Sequence, residues 1–279
     1  MSDAPKLKPV AISSGAGSFD FDQFPDGEHA PLSVHYFWPS TADENSRIVF
    51  VMHGLLRDGE RYRDRWQHHA QEHGFLLIAP EFDREFYPAD ADYNLAGIVN
   101  DEANRDFNAE EDWAFHRIEL LFEAIQLSTP FTAECFGIYG HSAGAQFVHR
   151  LVLFHPEASF DLAVAANAGW YTLPCQETEF PYGVGDAPVP DSKLARALRR
   201  RLVILLGEED VDKAHHSLRR TPEALGQGTH RLERGRFFVE TGKESAERLG
   251  VEFGWRIETV PYAAHKDREM SAAAVRFLT

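Results

Sequence analysis

FGIYGHSAGAQFVHRL, residues 136–151, changes its apolar period in the middle. Residues 136–139 form a short apolar run of the kind buried in a parallel sheet. From Ala143 onward, Phe147, Leu151 and Phe154 recur at helical spacing. Between the two lies Gly140-His141-Ser142-Ala143-Gly144, a G-x-S-x-G sequence. On its own this pattern recurs by chance and describes any tight strand-to-helix turn. Directly after a strand and directly before a helix, it has the placement in which a strained turn projects a serine side chain above the sheet edge. The glycines have a mechanical reason, because neighbouring backbone comes so close that a Cβ would clash. Ser142 would then stand at a helix N-terminus, where unpaired N–H groups and positive potential favour a developing anion.

Reading outward, strand and helix alternate along the chain. Leu32–Trp38 and 47–52 (RIVFVM) read as strands, 60–73 as a helix, and 75–79 (FLLIA) as a strand closed by Pro80. Residues 84–108 have no clear period and are expected near the site. Residues 110–127 read as one helix with acids in its first turn. Further on, 162–166, 202–206 (LVILL) and Trp255–Val260 read as strands, and 194–199, Arg231–Leu249 and 268–278 as helices. Such alternation predicts an α/β fold, a mostly parallel sheet with helices on both faces. One domain over 1–279 is expected, with 1–30 an N-terminal extension or first strand and 167–191 a short cap-like insertion over the site.

A serine nucleophile needs a general base and the base an orienting carboxylate, both on later strand ends. After LVILL comes Gly207-Glu208-Glu209-Asp210-Val211-Asp212, in which Asp210 is the candidate acid and Asp212 its competitor. After Trp255–Val260 comes Pro261-Tyr262-Ala263-Ala264-His265, making His265 the candidate base. The loop opening at His53-Gly54-Leu55-Leu56 offers a second backbone amide, assigned to Leu55 with Leu56 as the alternative because a main-chain donor does not depend on the side chain, to pair with that of Ala143 around an oxyanion. His53 is expected to support this turn.

Lys plus Arg number 28 against 44 Asp plus Glu, a net charge of −16, which disfavours nucleic acid and anionic membrane surfaces as partners. No apolar run approaches the roughly 20 residues of a membrane span. The first ten residues lack the apolar core of a secretory signal, so a cytoplasmic location is expected, with a processed secreted form left open. Cys135 and Cys175 fit no disulfide scaffold or metal spacing and are expected as plain thiols. His69 and His73 have the spacing of two zinc ligands but no HExxH context, so His68, His69 and His73 are assigned to a solvated helix face and no metal is expected. His215 and His216, and likewise Arg219, Arg220, Arg231, Arg234 and Arg236, are expected on solvated surfaces. Residues 83–92 lack calcium-loop spacing. Trp170, Tyr171, Phe180 and Tyr182 in the insertion, with Phe86, Tyr87 and Tyr93 earlier, could form a pocket or pack beneath loops; Trp170, Tyr171 and Leu56 are the substrate-contacting candidates.

The segments HGLL, GHSAG, LLGEEDVD and PYAAH resemble the oxyanion, nucleophile, acid and histidine segments of the α/β-hydrolase superfamily, in chain order from about residue 32 onward. Within it the chain is most similar to small bacterial esterases of the polyhydroxybutyrate-depolymerase-like and feruloyl-esterase-like type. The resemblance implies a sheet of about eight strands, a Ser-His-acid triad acting through an acyl-enzyme, and neither metal nor organic cofactor. The expected activity is therefore serine ester hydrolysis, at a site open enough for a bulky or polymeric ester. An amidase, peptidase or acyltransferase with the same triad, or a non-catalytic binding protein on the same fold, are the alternatives.

Overall fold

The computed structural model describes residues 7–24, 30–100 and 106–279. Its centre is an eight-stranded sheet made of β1 (Gly15–Phe21), β2 (Leu32–Trp38), β3 (Ile48–Met52), β4 (Leu76–Glu81), β5 (Phe136–His141), β6 (Phe160–Ala166), β7 (Leu202–Gly207) and β8 (Trp255–Val260). The spatial order is β1-β2-β4-β3-β5-β6-β7-β8. β1 and β2 pair antiparallel, as do β2 and β4, and all later pairs are parallel. The helices are α1 (Gly59–His73), α2 (Asp90–Tyr93), α3 (Ala114–Ser128), α4 (Ala143–Phe154), α5 (Asp191–Arg199), α6 (Pro222–Gly226), α7 (Arg231–Leu249) and α8 (Asp267–Leu278).

The alternation of side chains along each strand divides the interior into two cores. Ile48, Phe50 and Met52 of β3 face one core together with Phe136 and Ile138 of β5, beneath α3, α4 and α7. Val49 and Val51 face the other, with Tyr139, beneath Trp66 of α1 and Met270 and Ala274 of α8. Strands covered on both faces must be apolar throughout, which is why these read as unbroken runs rather than alternating ones. Among the described residues no helix is long and apolar enough to cross a membrane.

Segment 1–30 contains the first strand. β1 hid in the sequence because it lies at the sheet edge, and its residues Gly15 to Asp20 are only partly covered. The stretch 110–127 is not one helix. A 3₁₀ turn at Glu110–Asp112 comes first, Trp113 is extended, and α3 begins at Ala114 with no acid in its first turn. Trp113 is fully buried, packing its ring edge-on to Phe154 at 5.6 Å.

His69 is buried rather than solvated, its ring edge-on to Trp66 at 5.6 Å, and burial pushes its imidazole down to about 4. Arg231 and Arg234 are buried too, against the expectation of a charged outer face. A helix carrying charge on several sides does not disclose which side later segments cover.

Candidate active site

Strand order reverses around β3. From it the chain moves outward to β4, then returns to β5 on the other side. Loops leaving the carboxyl ends of β3 and β5 therefore diverge and open a crevice between them. Leu55 follows β3, and Ser142 follows β5.

Ser142 has φ 58° and ψ −109°, a strained conformation for a residue bearing a Cβ. Neighbouring structure holds it there: its N–H donates to the Ala166 carbonyl at 2.9 Å, and its own carbonyl accepts from Gln146 at 3.1 Å. A Cβ on Gly140 would lie 2.2 Å from the Gly144 carbonyl oxygen. Both glycines of the turn thus answer to backbone contact, as the sequence reading required.

The Ser142 hydroxyl lies 3.0 Å from His265 Nε2, and His265 Nδ1 lies 2.7 Å from Asp210 Oδ2. With the carboxylate at Nδ1, that nitrogen carries the proton and donates, leaving Nε2 to accept from the serine. Asp210 is 2 % exposed. Asp212 is exposed and caps the local turn, accepting from the Ala214 N–H at 2.8 Å. Geometry thus brings together Ser142, His265 and Asp210 and leaves Asp212 outside.

The loops that carry acid and histidine are bound to each other. Glu208 N–H donates to the Val260 carbonyl at 3.1 Å and Glu209 N–H to that of Ala263 at 2.9 Å. Asn167, which sequence reasoning overlooked, ties three strand ends: its Oδ1 accepts from Gly207 N–H at 2.8 Å, its N–H donates to Leu205, and its Nδ2 reaches the Ala264 carbonyl at 3.4 Å. Its φ of 51° at the end of β6 explains why asparagine, tolerant of the left-handed region, stands there.

Ala143 is the first residue of α4, where an N–H has no acceptor within the helix. Leu55 lies across the crevice on the turn after β3, and both Leu55 and Ser142 line two neighbouring hollows. His53 anchors that turn. It is fully buried, its Nε2 accepts from Phe82 N–H at 3.0 Å, and its Nδ1 lies 3.1 Å from the Gly54 carbonyl. Burial, aided by the Arg57 charge, lowers its imidazole to about 3, so it stays neutral. Tyr93 adds a hydrogen bond to the His53 carbonyl at 2.7 Å, which brings the irregular 84–108 segment against the site. Residues 101–105 of that segment lie outside the described ones.

Two open hollows meet at Ser142, of about 430 and 420 Å³. The first carries Leu56, 71 % exposed, and four cationic side chains, Arg61, Arg65, Lys266 and Arg268. The second is lined by Asp90, Asn94, Gln146, Trp170 and Arg219. Trp170 is buried with two cations against its ring, Arg150 at 4.3 Å and Arg219 at 4.6 Å. Tyr171 is a correction: it is fully buried, stacks on Phe238 at 4.6 Å, and lines neither hollow. Its backbone is held on both sides by the Gln227 amide, which turns the ring inward.

His215 also departs from the expected surface pair. Its ring lies edge-on to His265 at 5.3 Å, while exposed His216 lines both hollows. His141, buried next to Ser142, also lies close to His265, at 4.8 Å, and burial holds its imidazole well below the usual range. Among the described residues no group of three or more His, Cys, Asp or Glu side chains is gathered as metal ligands would be.

Neither a scan against protein-family models nor a search of curated proteins returns a match. Solved structures do. The chain is similar to poly(aspartic acid) hydrolase-1 from Sphingomonas sp. KT-1, at 42% identity over 96% of this chain and 99% of that one, with a TM-score of 0.91. It is similar to LpqC, a poly(3-hydroxybutyrate) depolymerase from Bordetella parapertussis, at 32% identity over 95% of this chain and 90% of that one, with a TM-score of 0.88. The fluorophosphonate-binding serine hydrolase FphF of Staphylococcus aureus shares the fold alone, at 15% identity over 95% of this chain and 98% of that one and a TM-score of 0.57. The eight-stranded sheet and these likenesses make the chain a hydrolase of the α/β-hydrolase superfamily, belonging to the family that includes poly(aspartic acid) hydrolase-1 and the LpqC depolymerase.

Proposed function

We propose that this hydrolase cleaves carboxylic esters through a Ser142-His265-Asp210 triad and an acyl-enzyme. The observation that carries the reading is the continuous pair of contacts from Ser142 Oγ to His265 Nε2 at 3.0 Å and from His265 Nδ1 to Asp210 at 2.7 Å. Ser142 Oγ attacks the ester carbonyl as His265 Nε2 takes its proton, and Asp210 holds the imidazolium that forms. Negative charge moves to the carbonyl oxygen, which the N–H groups of Ala143 and Leu55 receive; loss of one such donor typically costs about 2.7 to 4 kcal/mol of barrier. Collapse breaks the ester C–O bond and His265 returns the proton to the leaving alcohol. Water, deprotonated by the same imidazole, then releases the acid and regenerates the hydroxyl.

A second reading keeps the triad and changes the bond. Arg61, Arg65, Lys266 and Arg268 gather in one hollow, outnumbering the Asp267 carboxylate there, in a chain whose net charge is −16. A cationic wall suits a carboxylate-bearing chain, and one relative is named for poly(aspartic acid), whose units are joined by amides. Two open hollows that share Ser142 give a polymer room to extend beyond the reacting bond.

A panel of chromogenic esters and amides, with poly(aspartic acid) and poly(3-hydroxybutyrate), tests both readings alongside fluorophosphonate labelling. Labelling and ester turnover are expected in the parent and absent in Ser142→Ala. Labelling that persists in Ser142→Ala removes the proposed nucleophile. Turnover of poly(aspartic acid) with little ester turnover selects the second reading.

A further inference from the structure

We propose that Arg231 is a positioning residue for the reaction, holding the Asp210 carboxylate from the side opposite His265 and tying it to the loop that walls the cleft. The inference rests on the assignment of Asp210 and His265 to the triad.

Arg231 opens α7, and its side chain is 1 % exposed. A buried guanidinium needs an anionic partner, and the carboxylate within reach is that of Asp210, whose Oδ1 lies 3.4 Å from Nη1. The two oxygens of Asp210 are thus divided, Oδ2 to His265 and Oδ1 to Arg231. That division fixes the carboxylate plane, because rotation would sacrifice one partner to serve the other. At 3.4 Å the Arg231 contact is long for a charge-assisted hydrogen bond, so its influence is carried by charge as well as by direction.

The same guanidinium reaches the loop between β7 and α6. Its Nη2 donates to Ser217 Oγ at 3.0 Å and lies 3.4 Å from His215 Nδ1. Ser217 and His216 line both hollows at Ser142. One side chain therefore joins the triad acid to the loop that carries Ser217 and His216.

The charge environment makes the positioning role measurable. Around His265 and Asp210 stand Arg231 from α7, His215 and exposed Asp212 from the acid loop, His141 from β5, Lys266 beyond His265, Arg65 from α1, and the Tyr171 hydroxyl, which feels the Asp210 charge. Burial holds His141 and His215 below their usual range, and the Arg231 charge works in the same direction on both. The cation pressed on the triad acid is Arg231. It offsets part of the negative charge that would stabilise an imidazolium at His265, so its removal should favour the protonated ring.

The test is the pH profile of kcat/KM on a small neutral ester for Arg231→Gln and Arg231→Lys, with thermal melting of each. Arg231→Gln should lose about 10- to 100-fold in kcat with KM little changed. Its acidic limb should move to higher pH by about one unit. Arg231→Lys keeps the charge, so its limb should stay with the parent and part of kcat should return. Equal losses in both variants with both limbs at the parent position would overturn the proposal and leave Arg231 a structural residue. Fluorophosphonate labelling of the parent and its absence in Ser142→Ala separate this failure from a failure of the triad assignment.

Discussion

The carbonyl oxygen of Met52 lies 2.3 Å from where a Cβ on Gly144 would stand. Met52 ends β3 and Gly144 belongs to the first turn of α4, so the strand that carries the candidate oxyanion loop packs directly on the turn that carries Ser142. Neither partner can yield, because both are backbone and the strand is fully buried. Gly144→Ala should therefore destabilise the fold by about 1–3 kcal/mol as an overpacked site. It should also move Ser142 relative to Leu55, slowing fluorophosphonate labelling by about 10-fold or more. Urea midpoints and labelling rates measure the two separately; a parent-like rate in a folded variant would refute the close packing.

Asp210 and Asp212 provide a matched pair. Asp210 is buried against His265, whereas Asp212 is exposed and bonds only its local turn among the contacts described. Asp210→Asn should reduce kcat by about three to four orders of magnitude, since the amide can favour the wrong imidazole tautomer. Asp212→Asn should change kcat by about twofold at most. A larger loss at Asp212 would move the acid role to that residue.

Local chemistry made the central strands and the serine turn legible. Val49 to Met52 and Leu202 to Leu206 are covered on both faces, and that burial writes itself into the sequence as unbroken apolar runs. The order of Ser142, Asp210 and His265 was readable because each follows a strand end. What could not be read depends on which distant segment covers a side chain. Tyr171 looked like a pocket aromatic, yet α7 brings Phe238 against it. Arg231 looked like surface charge until the fold placed the carboxylate of Asp210 beside it. Asn167 left one signal, an asparagine at a strand end, but its partners, Leu205 and Gly207 of β7 and Ala264 beyond β8, come from distant parts of the chain.

The cationic hollow predicts a selective loss. Arg268 is exposed at its rim, while Arg61 pairs with Asp58 at 2.9 Å and Arg65 with Asp267 at 3.4 Å. On the reading that the hollow receives carboxylate-bearing chains, Arg268→Gln should raise KM for poly(aspartic acid) by about 3- to 10-fold and leave KM for a small neutral ester within about twofold. Raising salt to about 0.5 M should shrink the difference between parent and variant, because exposed charges are screened. An equal effect on both substrates would remove the hollow from recognition of carboxylates.

Buried histidines should make the fold acid-labile. His53, His141 and His149 are each buried and held neutral, His53 down to about 3 and the other two well below the usual range, with burial the main cause in all three. His149 shows the structural use of this neutrality, with its Nδ1 2.9 Å from the Ala145 carbonyl and its Nε2 accepting from Thr172 N–H at 3.1 Å. In the unfolded chain the same rings take up protons near 6.5, so between that pH and their folded values the unfolded state binds more protons than the folded one. Stability contributed by these rings is present at neutral pH and is lost as pH falls. For His53 alone the loss is about 2 kcal/mol at pH 5, and the other two add to it in the same direction. Urea midpoints should therefore drop between pH 7.5 and pH 5, a range in which ordinary carboxylates stay ionised. A midpoint that holds constant across that range would mean the rings reach solvent and protons without unfolding, contrary to their burial.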